Sequence, residues 1–180
     1  IINDGMLCLM VGIGHKTGLF DTMSMMESGT SKQIAKAARL NERYVREWLG
    51  GMVTGRIIDY DPSTGEYSLP KEHASVLTRS AGIDNMAVFA QYIALMGIVE
   101  DKIVECFRKG GGVPYSAYPK FPELQGEETA RVFDARLVEH IVPLTGMVDR
   151  LNQGIEVLDI GCGEGHGINL MAKAFPKSKF

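Results

Sequence analysis

IEVLDIGCGEGHGINLMAKAF, residues 155–175, changes character twice within a short span. Ile155, Val157 and Leu158 open it as an apolar run of about five residues, the length and make-up of a buried strand. Gly161, Gly163 and Gly165 then alternate with Cys162 and Glu164, a spacing no regular strand or helix tolerates well. From His166 the pattern is helical and stops near Phe175. A strand, a glycine loop and a helix in that order predict the opening unit of a parallel α/β sheet.

A glycine loop after such a strand brings main chain close to a ligand, and the helix behind it adds unpaired N–H groups and the positive end of a dipole. Dinucleotide binding requires a third glycine or alanine that is missing here. Counting from Gly161 and Gly163 places His166 in that position, and counting from Gly163 and Gly165 places Ile168 there. What remains is D-x-G-x-G-x-G, beginning at Asp159.

Upstream, residues 5–26 read as a helix, a break at GHKTGLF and a second short helix. Leu7, Met10, Val11, Phe20 and Met23 are expected to form an apolar stripe too large for a small domain to cover alone. Thr30 and Gln33 have capping-box spacing ahead of Ile34, Ala35 and Ala38. After a turn at Arg39 and Leu40, Asn41 is a good N-cap for a helix with Tyr44, Val45, Trp48, Leu49 and Met52 at helical spacing. Two strand-like pieces, residues 57–60 and 67–69, flank the turn-forming DPSTGE and complete a winged helix-turn-helix.

A long helix is expected from Asp84, its cap, to Gly110, with Met86, Phe89, Ile93, Met96, Val99, Ile103 and Phe107 facing inward. Residues 110–122 hold three glycines and three prolines and read as a linker or lid. Helix resumes from Glu127 to about Ile141, with Ala130, Phe133, Leu137, Val138 and Ile141 on one face, and a shorter one follows Pro143 up to Gly154. The fold class expected is therefore a mainly α N-terminal winged helix with a small hairpin wing (residues 1–82), a helical linker (83–153), and the first strand and helix of an α/β Rossmann-like domain (154–180).

The bulk composition narrows the chemistry. A net charge of −3 gives no global electrostatic case for nucleic acid or an anionic membrane. Three scattered cysteines, Cys8, Cys106 and Cys162, suggest neither a disulfide framework nor zinc, and point to a reducing, cytoplasmic setting. The four histidines lack ligand spacing, so no metal is expected. The apolar start carries Asn3, Asp4, His15 and Lys16, too polar and short to span a bilayer. GIGHKT, residues 12–17, is a poor phosphate loop, because His15 replaces the glycine before lysine and no strand precedes it.

DIGCGEG, residues 159–165, resembles the first motif of class I S-adenosylmethionine-dependent methyltransferases. With GHKTGLFD at 14–21, LNERYVREWLGGMVTG at 40–55 and GGGVPYSAYPKF at 110–121, the chain looks like the members that carry an N-terminal winged helix. The resemblance implies S-adenosylmethionine as cofactor, held by Asp159, Gly161, Cys162, Gly163 and Gly165, with Asp159 near its amino group. It also implies a small-molecule acceptor, a homodimer formed through the N-terminal helices and winged helix, and a lid in which Tyr115 and Tyr118 face substrate or cofactor. No residue is identified as a catalytic base. The acid that holds the ribose in such enzymes, and the later strands, would lie beyond Phe180.

A DNA-binding regulator is the competing reading, since Lys32, Lys36, Arg39, Arg43, Arg46 and Arg56 outnumber Glu42 and Glu47 across residues 30–56. Against it, both glutamates lie on the would-be recognition helix, and the wing carries acids and no base.

Overall fold

A computed structural model describes all of residues 1–180, which form two compact units, Ile1–Pro119 and Lys120–Phe180. The first unit opens with α1 (Ile2–Thr17) and α2 (Leu19–Ser24), separated at Gly18, whose φ of 71° turns the chain within the expected break. Next come α3 (Ser31–Ala38) and α4 (Glu42–Thr54), the helix-turn-helix. Thr30 caps α3 with the expected box: its hydroxyl accepts from Gln33 N–H, and Thr30 N–H donates to the Gln33 side chain at 2.8 Å. Asn41 caps α4 through Arg43 N–H.

The wing is β1 (Asp59–Asp61) paired antiparallel with β2 (Glu66–Ser68), Tyr60 opposite Tyr67. Leu19, Phe20, Met23, Ile34, Val45, Trp48, Leu49, Met52 and Ile58 belong to the core of the winged helix-turn-helix as a whole, and Leu7, Met10 and Val11 pack against it. The expected stripe on residues 1–26 is therefore largely consumed inside its own unit: Phe20 and Met23 are fully buried and Leu7, Met10 and Val11 partly so. Tyr44, expected inward, is 76% exposed.

Helix α5 (Lys71–Leu77) follows Pro70, in a stretch with no expected element. The long helix α6 runs Gln91–Lys109 and starts seven residues later than Asp84. Asp84 does not cap it; a 3-10 stretch, Arg79–Asp84, kinks at Gly82 (φ 57°), and Asn85 instead accepts from Ala87 N–H. The buried face of α6 is Gln91, Leu95 and Val99, because α1 crosses there with Gly12 against the main chain of Ala90 and Gln91. Of the inward face expected, only Val99 is buried, while Met86, Ile93, Met96 and Phe107 are exposed.

In the second unit α7 (Phe121–Arg136) begins before the expected Glu127, since Pro122 sits in its first turn, where the missing N–H costs nothing. A π turn at Leu137–Ile141, then α8 (Val142–Leu144) and α9 (Val148–Gln153) lead to Gly154, and α10 (His166–Ala174) ends at Phe175. Val142, Leu151 and Phe175 form this unit's core.

The expected first strand is only a parallel bridge, Glu156 with Lys179, made by Val157 N–H to Lys179 O (2.8 Å) and Lys179 N–H to Ile155 O (2.9 Å). Leu158 and Ile160 are 84% and 88% exposed, because residues 158–160 have no neighbouring strand to extend the ladder. Gly154 (φ 105°) lets the two segments meet: a Cβ there would stand 2.8 Å from the Lys177 carbonyl oxygen.

Candidate functional site

The glycine loop is built on conformations that favour glycine. Gly161, Gly163 and Gly165 have φ values of 83°, 58° and 80°, a region that costs an L-residue roughly 1–2 kcal/mol. A Cβ at Gly161 or Gly163 would meet nothing within 4 Å, so backbone geometry rather than crowding sets the requirement there. Gly165 is fixed at both ends: its N–H donates to Cys162 O, and its carbonyl accepts from Asn169 N–H and, at 2.8 Å, from Asn169 Nδ2. The N–H groups of Gly161, Cys162, Gly163 and Glu164 make no hydrogen bond within the chain. Together with the N-terminus of α10 they form an open, donor-lined surface.

Among the residues expected to line a site, Asp159, Gly161, Cys162 and Gly163 are exposed and contiguous, and Gly165 is half-buried as the N-cap of α10. Tyr115 and Tyr118 belong to the first unit, at a single 3-10 turn, Tyr115–Ala117, and its C-cap; Tyr115 is exposed and Tyr118 half-buried. The glycine loop belongs to the second unit.

Residues that the sequence did not single out surround the loop. His166 Nε2 lies 2.7 Å from Asp134 Oδ1 of α7, and the Glu164 side chain lies across Gly126 of the same helix. Gly126 and Asp134 are eight apart and share a helix face, the periodicity signal that could have paired them. GIGHKT is no loop at all: it lies inside α1 with Gly12, Gly14 and His15 buried.

The winged helix presents little free cationic surface on its second helix. Arg43 pairs with Glu47 and Arg46 with Glu42, each one turn apart on α4. In the wing, the Asp61 carboxylate accepts from the Ser63 hydroxyl and N–H, which holds its pKa below the ordinary aspartate value. A shallow groove of about 310 Å³ beside the wing is lined by Glu27, Asp59, Asp61 and Glu66. No group of His, Cys, Asp and Glu side chains is arranged to hold a metal ion, and no helix is long and apolar enough to cross a membrane.

Residues 5–79 match the family model of the Rv2258c-like winged HTH domain. No curated protein sequence matches the chain. Solved structures similar to it include human N-acetylserotonin methyltransferase in complex with SAM, with 15% identity and a TM-score of 0.59 over 99% of this chain and 55% of that one. The mitomycin 7-O-methyltransferase MmcR shows 15% identity and a TM-score of 0.59 over 99% and 54%. An O-methyltransferase from neocarzinostatin biosynthesis, NcsB1, solved with S-adenosylmethionine and a naphthoic acid, shows 15% and 0.57 over 95% and 54%. The chain spans about half the length of these proteins. At this identity the likeness is one of fold alone: a winged helix-turn-helix domain over residues 5–79, followed by a part that shares the fold of these structures.

Proposed function

We propose that the protein is an S-adenosylmethionine-dependent methyltransferase acting on a small-molecule acceptor, and that residues 159–165 bind the methionine part of the cofactor. The observation that carries this reading is the run of three left-handed glycines with four unengaged N–H groups, opening onto the N-terminus of α10. The residues fit the group: the cofactor has no phosphate, its carboxylate suits free N–H donors, and the exposed Asp159 carboxylate suits its ammonium. The open space over Gly161 and Gly163 leaves room for it. The cofactors named with the similar structures support the same choice.

When bound, S-adenosylmethionine supplies a methyl group on a positively charged sulfur. The loop's work is to fix the donor's position, which is the main requirement of an in-line displacement. Calorimetry on the intact protein tests the reading: micromolar binding by wild type, lost in Gly163→Leu, is expected, and equal affinity for both would sink it.

A homodimer belongs to the same reading, carried by other residues than the sequence suggested. Ile2, Met6 and Ile13 on α1, and Ile93, Met96 and Phe107 on α6, remain exposed for a second copy to cover. DNA binding is disfavoured by the paired arginines of α4 and the acidic wing.

A further inference from the structure

Three contacts tie α7 to the end of the glycine loop. A Cβ at Gly126 would meet Glu164 Oε2 at 2.6 Å, a Cβ at Gly167 would meet the Phe133 ring at 2.9 Å, and His166 Nε2 is 2.7 Å from Asp134 Oδ1. The first two are close packing. The third is chemically directed, and nothing in loop formation itself requires it.

An ionised carboxylate only accepts hydrogen bonds, so the ring nitrogen facing Asp134 carries the hydrogen. In the neutral imidazole the other nitrogen, Nδ1, is then an acceptor. Nδ1 has no partner within the chain. His166 is the first residue of α10 and follows Gly165 directly, so anchoring its ring on α7 tethers the main chain next to that glycine. Asn169 grips the carbonyl of Gly165 from within the helix, and Asp134 grips the next residue from α7.

We infer that Asp134 is a positioning residue of the cofactor site and acts through His166: it fixes the tautomer and rotation of the imidazole and thereby holds Gly165, with the open N–H groups before it, in the binding conformation. This rests on the cofactor reading given above. Neither residue is assigned a part in the chemical step.

The test uses the intact protein and two readouts, calorimetric affinity for S-adenosylmethionine and the ¹⁵N shifts of the His166 ring. Wild type should show hydrogen on Nε2. Asp134→Ala should weaken binding by about three- to tenfold, the scale of one partly exposed hydrogen bond, and mix the two tautomers. Asp134→Asn, which keeps the shape and can offer an N–H to the ring, should weaken binding and shift the hydrogen towards Nδ1; Asp134→Glu should recover part of the affinity. Adding Asp134→Ala to His166→Phe should cost nothing further, because the first change acts only through the second. If Asp134→Ala leaves both affinity and ring shifts at wild-type values, or if the two losses add, the inference is overturned while the cofactor reading stands. Absence of binding by wild type overturns the cofactor reading, and this inference with it.

Discussion

The indole Nε1–H of Trp48 donates to the carbonyl of Met10 at 2.8 Å, and the same ring closes over Gly14 one turn further along α1. A Cβ at Gly14 would stand 2.5 Å from Trp48 and 2.7 Å from Phe20, whose rings meet edge to face at 5.2 Å. Gly14→Ala should therefore destabilise the fold by about 1–3 kcal/mol through overpacking, despite a helix-propensity gain of roughly 1 kcal/mol. Urea melts of the two proteins decide it: a variant as stable as wild type means the rings are not wedged.

The capping box predicts a graded response. Thr30→Ala should cost about 1 kcal/mol and Thr30→Ser, an equal or better cap, close to nothing. Gln33→Ala removes the reciprocal bond to Thr30 N–H and should fall between them. Equal midpoints for Thr30→Ala and wild type in thermal unfolding would exclude a role for the cap in stability.

The glycines of the loop separate strain from crowding. Gly163→Ala meets no atom within 4 Å yet forces alanine to φ 58°, which should cost roughly 1–2 kcal/mol or let the loop relax away from its binding shape. Gly167→Ala carries no such backbone penalty but drives into Phe133. The first should reduce cofactor affinity more than stability, and the second stability more than affinity; the reverse ranking, by calorimetry and melting, would refute the assignment.

Asp61 gives a pH signature to the wing. Its hydrogen bonds from Ser63 lower its pKa in the folded chain, so the stabilisation is complete above the unfolded aspartate value, about pH 4, and is lost as pH falls through the lower folded value. An NMR titration of the Asp61 carboxyl carbon should show a midpoint below that of unfolded aspartate, and the midpoint should rise in Ser63→Ala. A midpoint at or above the unfolded value would contradict the turn geometry.

For the proposed homodimer, light scattering should give twice the chain mass, and charge placed at exposed apolar positions, Ile13→Glu with Met96→Glu, should yield a monomer with an unchanged far-ultraviolet spectrum. Deleting residues 1–26 would remove Phe20 and Met23 from the core and so tests folding rather than association. A wild-type monomer ends the proposal.

What could be read from the sequence depended on whether the determining contacts were local. Thr30 with Gln33, Asn41, Gly18 and the three loop glycines act within a few residues, and each lies where the sequence placed it. The inner face of α6 differs from the expected one because α1 selects it from far along the chain, covering Gln91, Leu95 and Val99 rather than Met86, Ile93, Met96 and Phe107. Pro122, expected within the linker of residues 110–122, lies in the first turn of α7, because a proline in a first turn and one in a connecting segment look alike in sequence. The pairing of Asp134 with His166 crosses thirty-two positions and had no local sign.

Gly154 and the bridge it permits bear on the order of folding. Glu156 and Lys179 are separated by twenty-three positions, most of them taken up by the loop and α10. Closing so short a crossover costs little chain entropy compared with pairing distant strands. The bridge is therefore expected to form before pairings between segments further apart in the chain, and it leaves Leu158 and Ile160 exposed beside it. Any side chain at residue 154 would stand 2.8 Å from the Lys177 carbonyl oxygen at a φ of 105°, so the bridge itself should shift or open in such a variant.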